Sequence, residues 1–269
     1  MGPRIGLIAG SGDFPLLVLD EAKKKGLFCA VLGVKDQAPA TLERKADAWG
    51  QIGPGQAMGA ADFFRGHDIK QVFLVGKIDP AVLFQPGVLD DATRALWQIL
   101  PDKRPSTVIR KVIDFFSTQG LQVLSPEPFL QPFFCDEGPL TASEPSPRAL
   151  EDIEFGWPLA RTVADLDIGQ TIVVMDQAVV AVEGLEGTDE AIRRGGRLAG
   201  PGTVVLKVGR TLQDLRVDVP AVGLATARSL AEAGAAALCL EARKVAFFQR
   251  QEAVALAESS GVALLARKG

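Results

Sequence analysis

One unit recurs along this chain and limits its fold more than anything else: a short apolar run, a loop holding glycine or charge, then a stretch of helical spacing. Apolar runs at Arg4–Ala9, Phe28–Val34, Val72–Val75 and Leu121–Leu124 alternate with helical patterns at Leu16–Lys25, Met58–Gly66, Leu89–Leu100 and Thr107–Gly120. Continuous apolar runs this short read as strands buried on both faces, and strand–helix–strand alternation builds a parallel α/β sheet. Further runs follow at Gln170–Met175, Val179–Val182, Thr203–Val208, Ala221–Val222, Ala236–Leu240 and Val262–Leu265, with helices ending at Asp165 and spanning Lys244–Ser259. A chain of 269 residues approaches the limit of one hydrophobic core. The expected architecture is therefore α/β in two parts. A Rossmann-like parallel-sheet domain covers 1–135, a Gly-, Pro- and Ser-rich crossover covers 136–160, and a C-terminal α/β domain covers 161–269.

Composition narrows the chemistry. A net charge of −4 with dispersed basic residues gives no footprint for nucleic acid. The three cysteines, Cys29, Cys135 and Cys239, are far apart and lack metal-ligand spacing. They read as reduced thiols of a cytoplasmic protein. No secretory signal and no membrane-spanning run is expected. There is one histidine and no tyrosine. His67 lies in the polar turn Arg65-Gly66-His67-Asp68, so a histidine-based triad or zinc site is not expected.

After the first strand stands Gly10-Ser11-Gly12-Asp13-Phe14-Pro15. It lacks the third glycine of a dinucleotide loop, and Lys35 rather than an acid follows the second strand, which argues against an NAD(P) site. A nucleotide at the strand's carboxyl end still fits, with Gly76-Lys77, past another strand, aimed at the same crevice. In the second half, Glu183-Gly184-Leu185-Glu186-Gly187-Thr188-Asp189 follows two apolar runs and opens a helix bearing Arg193 and Arg194. Glycines before a helix N-terminus favour phosphate; carboxylates in the same loop call for a hard divalent cation between them and it. With no histidine or cysteine set, that ion is magnesium or manganese, and metal-assisted hydrolysis of a phosphoanhydride is the expected chemistry.

These motifs resemble a family: the two-domain UDP-2,3-diacylglucosamine pyrophosphatases of bacterial lipid A biosynthesis. The resemblance rests on Ile8–Pro15, Gly76-Lys77, Asp152–Gly156, Asp167–Thr171, Ala181–Asp189, Lys207, Gln213–Pro220 and Gly223. It implies a magnesium-dependent hydrolase that cleaves UDP-2,3-diacylglucosamine to UMP and 2,3-diacylglucosamine 1-phosphate (lipid X). It also implies a homodimer, substrate held between the domains, and peripheral contact with the inner membrane through the lipid.

The candidate substrate-contacting residues are Gly10, Ser11, Gly12, Asp13, Phe14, Gly76, Lys77 and Gln122 in the first domain. In the second they are Gly187, Thr188, Asp189, Arg194, Gln213, Arg216 and Thr226. Glu183, Lys207 and Asp214 are the candidate catalytic residues; Asp189, Asp214 and Asp218 are the candidate metal ligands. Phe84, Trp97, Phe129, Phe133 and Phe134 are either core or a surface for acyl chains. One position departs from the family pattern. An acid precedes the threonine there, whereas Ala225 precedes Thr226 here. The departure implies impaired turnover and keeps open a module that binds a nucleotide sugar without cleaving it.

Overall fold

The computed structural model describes residues 2–77, 89–102, 104–216 and 218–269. Phe84 lies outside them. The chain divides into two compact units, Met1–Leu130 with Asp214–Asp218, and Gln131–Gln213 with Val219–Gly269.

In the N-terminal unit the elements run β1 (Arg4–Ala9), α1 (Phe14–Lys24), β2 (Phe28–Val34), α2 (Thr41–Lys45), β3 (Ala48–Ile52), α3 (Ala57–Gly66), β4 (Gln71–Val75), α4 (Asp91–Gln98), α5 (Pro105–Thr118), β5 (Gln122–Val123) and α6 (Glu127–Leu130). The strands form one parallel sheet in the order β3-β2-β1-β4-β5. Strand order reverses between β1 and β4, which is where an open α/β sheet leaves a crevice. Leu7, Ala9, Val31 and Val75 pack with Val18, Leu19 and Ala22 of α1 on one face, while Phe64 of α3 and Phe116 of α5 cover the other. The strand β3 has no apolar signature in the sequence. It occupies the sheet edge and is half-exposed, so its Ala-Trp-Gly-Gln-Ile run needs no continuous hydrophobicity.

In the C-terminal unit, β6 (Gly138–Pro139) leads to α7 (Pro147–Asp165), β7 (Thr171–Met175), β8 (Ala178–Val182), α8 (Thr188–Ala199) and β9 (Val204–Lys207). Then come β10 (Ala221–Val222), α9 (Leu224–Glu232), β11 (Ala237–Glu241), β12 (Ala246–Phe247), α10 (Arg250–Ser259) and β13 (Ala263–Arg267). A six-stranded mixed sheet, β6-β13-β11-β9-β7-β8, is covered by α7 on one face and by α8, α9 and α10 on the other. Helix α7 begins at Pro147, with Ser146 capping it through Ala149 N (3.2 Å). The helix expected from Lys244 begins only at Arg250. Ala246 N and Phe248 N instead donate to Pro220 O (2.8 Å) and Val222 O (2.9 Å), which makes β12 a parallel partner of β10.

The β7–β8 connection shows how a tertiary contact fixes a turn. Asp176 and Gln177 both have positive φ, 51° and 57°, as a two-residue type I′ hairpin requires. Their amides donate to the carboxylate of Asp152, 2% exposed on α7, at 3.2 and 2.6 Å. A buried carboxylate is tolerated when backbone donors satisfy it.

Candidate active site

Two places collect the residues singled out from the sequence. In the N-terminal unit the loops after β1 and β4 are stitched together. Ser11 N donates to Lys77 O (2.8 Å), Lys77 N to Ser11 O (3.1 Å) and Gly10 N to Val75 O (2.8 Å). A side chain at Gly10 would run into the Lys77 carbonyl, so glycine serves here to let two backbones meet. The Ser11 hydroxyl donates to Lys77 O at 2.8 Å, and the Lys77 side chain is exposed. Asp13 makes no side-chain cap at the start of α1, so the glycine loop meets an uncapped helix N-terminus at the β1/β4 switch point.

The start of α3 is different: Ala57 N donates to Thr93 Oγ1 (3.2 Å) and Met58 N to Asp90 (3.2 Å), so α4 already fills it. Gln122 stands apart from the crevice. It pairs with Gln71 at the opposite, amino end of the sheet, beside Arg4, Asp68 and Lys70.

In the C-terminal unit, the end of β9 brings a buried lysine to the start of α8. Lys207 is 4% exposed, and its Nζ donates to Thr188 Oγ1 (2.6 Å) and to Thr171 Oγ1 (3.2 Å). Thr171 is its cross-strand partner on β7. Thr188 in turn donates to Glu183 Oε1 (2.9 Å), and Glu183 Oε2 lies 3.7 Å from Lys207 Nζ and accepts from Gln170 N (3.1 Å). Burial pushes the Glu183 carboxyl upward. Lys207, the Thr171 and Thr188 hydroxyls and the Gln170 amide outweigh it and hold Glu183 below the usual carboxylate range.

A second helix start joins this one. Thr226, buried in the first turn of α9, donates from Oγ1 to Asp189 Oδ1 (2.9 Å) in the first turn of α8. Both helices begin from glycines, Gly187 and Gly223, with no side-chain cap. Two positive helix ends and one buried ammonium thus serve one place, an arrangement suited to an oxyanion-rich ligand. Ala225 sits on the exposed side of the α9 first turn, which carries no acid.

Other candidates have structural partners. Arg194 donates to Val182 O (2.7 Å) and Glu186 Oε1 (2.6 Å), and so braces the glycine loop. Asp214, Arg216 and Asp218 belong to the stretch that goes with the N-terminal unit. The Arg216 guanidinium grips Asp214 at 2.9 and 2.7 Å and holds its carboxyl below the usual range. Gln213 accepts from Arg210 N at 2.9 Å. Phe129 is core against Phe73, Phe133 meets Phe248 edge to face, and Trp97 and Phe134 are half-buried. Thr171 was absent from the candidate set; its signal was its position at the head of a strand, which only pairing with β9 turns towards Lys207.

The fold is thus a two-unit α/β protein whose C-terminal unit sets a buried lysine behind two uncapped helix starts. Its family is specific. Residues 4–133 match the LpxI N-terminal domain and residues 136–265 the LpxI C-terminal domain, so the chain belongs to the LpxI family. It is 29% identical to the UDP-2,3-diacylglucosamine pyrophosphatase LpxI of Caulobacter vibrioides, with 97% of this chain and 96% of that protein aligned. Likeness to solved structures is loose. A biotin carboxylase from Campylobacter jejuni aligns at 12% identity over 72% of this chain and 42% of its own, TM-score 0.30. The glycinamide-RNase-transformylase T of Mycobacterium tuberculosis gives 13%, 67%, 44% and 0.25. The chain spans less than half the length of either, and scores this low say nothing of function.

Proposed function

We propose that this chain, like the relative named as a UDP-2,3-diacylglucosamine pyrophosphatase, hydrolyses the diphosphate of that substrate, and that the products are UMP and 2,3-diacylglucosamine 1-phosphate. The observation that carries the reading is the buried Lys207 ammonium at the joined starts of α8 and α9. The diphosphate oxygens lie on the helix amides, and Lys207 offsets charge that develops on them as the bond breaks. The β1/β4 crevice of the N-terminal unit is the proposed seat of the nucleotide.

Magnesium is part of the proposal. Among the described residues no three His, Cys, Asp or Glu side chains gather as a metal-holding group. Magnesium more often takes one or two carboxylates, water and the substrate's own phosphates, and Asp189 at the α8/α9 junction fits that part. Bound there, the ion would polarise a phosphoryl oxygen. Asp214, gripped by Arg216, fits it less well.

The test is UMP release from UDP-2,3-diacylglucosamine with magnesium and with EDTA, for the chain as it stands and for Ala225→Asp. Magnesium-dependent release that grows in the variant supports the hydrolase and the impairment assigned to Ala225. Substrate binding without release in both forms supports the second reading, a nucleotide-sugar binding module, which the acid-free first turn of α9 favours.

A diacylated substrate resides in a bilayer, so peripheral contact with the inner membrane belongs to the proposal. No helix among the described residues is long and apolar enough to cross a membrane. The homodimer expected from the resemblance is checked by light scattering.

A further inference from the structure

A second buried carboxylate stands one residue past the point where the β9–β11 ladder ends. Lys207 on β9 is paired in register with Leu240 on β11, and Glu241 follows. Glu241 is 1% exposed. Its Oε2 accepts from Gly209 N at 2.8 Å, while its Oε1 pairs with Arg161 Nη2 at 2.5 Å and Lys244 Nζ at 3.0 Å. Arg161, on α7, also donates from Nη1 to Gly209 O. One ion pair thus holds both the N–H and the C=O of Gly209, two residues beyond Lys207. The next residues are tied down as well. Arg210 pairs with Asp167, and Thr211 donates twice to Asp165, each at 2.7 Å.

We propose that Glu241, acting with Arg161 on Gly209, is a positioning residue for the Lys207 anion site. This rests on the reading of that site given above. A buried ion pair in place of well-packed apolar residues is on average no gain in stability, so stability alone is a poor reason for one here. What this pair does is local. It extends the ladder past the last strand hydrogen bonds by a side chain, where an unheld strand end would fray. Val208 N is held on the other side by Gln170 O at 3.0 Å, and Gln170 N reaches Glu183. The Lys207 ammonium is placed to within a hydrogen bond of Thr188 only while the β9 exit is fixed on both sides. Glu241 fixes the β11 side.

The test compares wild type, Glu241→Ala, Glu241→Gln, Arg161→Lys and Lys207→Ala. Inorganic pyrophosphate affinity is measured by calorimetry with magnesium present, and amide exchange is followed across 204–212. The expected result for Glu241→Ala is faster exchange confined to 208–211 and roughly tenfold weaker pyrophosphate binding. Glu241→Gln, which keeps an acceptor for Gly209 N, should fall between it and wild type. Pyrophosphate affinity unchanged while exchange at Gly209 rises would overturn the proposal, as would unchanged exchange. Should Glu241→Ala not fold, Glu241→Gln and Arg161→Lys carry the same two readouts. If Lys207→Ala weakens pyrophosphate and the Glu241 variants do not, the positioning role alone fails. If wild type and Lys207→Ala bind alike or not at all, the anion site fails and takes the positioning role with it.

Discussion

Thr226 Oγ1 donates to Asp189 Oδ1 at 2.9 Å and so joins the first turns of two helices through residues 37 apart in sequence. Replacing Thr226 by valine keeps the shape and removes the donor. The expected cost is about 1 kcal/mol of stability, measurable by urea unfolding, with weaker pyrophosphate binding because the two helix starts no longer share a fixed orientation. A variant that binds as tightly as wild type would show that the link matters to folding alone.

Lys207 and Glu183 form a strongly desolvated pair, with side chains 5% and 13% exposed. Lys207→Met leaves the carboxylate without its cation, and the expected destabilisation is about 3 kcal/mol. Adding Glu183→Gln should recover most of that stability without recovering anion binding. A double-mutant cycle in denaturant, read beside calorimetry, separates the two roles.

Acid should act through the same pair. Unfolded glutamate titrates near ~4.3, and Glu183 in the folded chain lies below its usual value, with Lys207 the largest cause of the lowering. A depressed folded value stabilises the native state above the unfolded value, and that contribution is lost as pH falls through the folded one. The melting-temperature gap between wild type and Glu183→Gln is therefore expected to be largest near neutrality and to shrink below about pH 4. A gap that is flat down to pH 3 would remove the carboxylate from this role.

Ala225 faces solvent in the acid-free first turn of α9. An aspartate there meets the positive end of the helix and is expected to raise stability by about 0.3–1 kcal/mol. The gain should fade in high salt. Thermal melts at two salt concentrations check this independently of any activity.

The three described cysteines are buried and unpaired. Burial pushes the Cys29 thiol up to about 11 and Cys239 up to about 12. Native protein at pH 8 should resist alkylation at both, and denatured protein should react fully. Mass spectrometry of labelled peptides reads the outcome.

Much of the candidate site could be read in the sequence. The loop from Glu183 to Asp189 and the lone Lys207 at a strand end marked a charged, glycine-bearing strand end, and the structure brings Glu183, Thr188 and Lys207 into one hydrogen-bonded group. Arg194 was legible as a nearby cation but not as the brace on Val182 O, because that depends on how α8 returns over the strand end. Asp176 and Gln177 are polar residues between two apolar runs, and only the structure shows them as a hairpin turn held by Asp152.

The sequence by itself determined the α/β alternation, since short apolar runs and helical spacing are local patterns that survive any arrangement of the rest. It also determined which residue types were available: acids, lysines and hydroxyls, with one histidine. Only the tertiary structure decided what those residues do. The edge strand β3 and the short pair β10–β12 form because neighbours complete their hydrogen bonds. Glu241 meets Gly209 across 32 residues and Thr226 meets Asp189 across 37. Contacts of that separation leave no periodic trace in a sequence. They exist only once the sheet has set the register that brings strand ends and helix starts together.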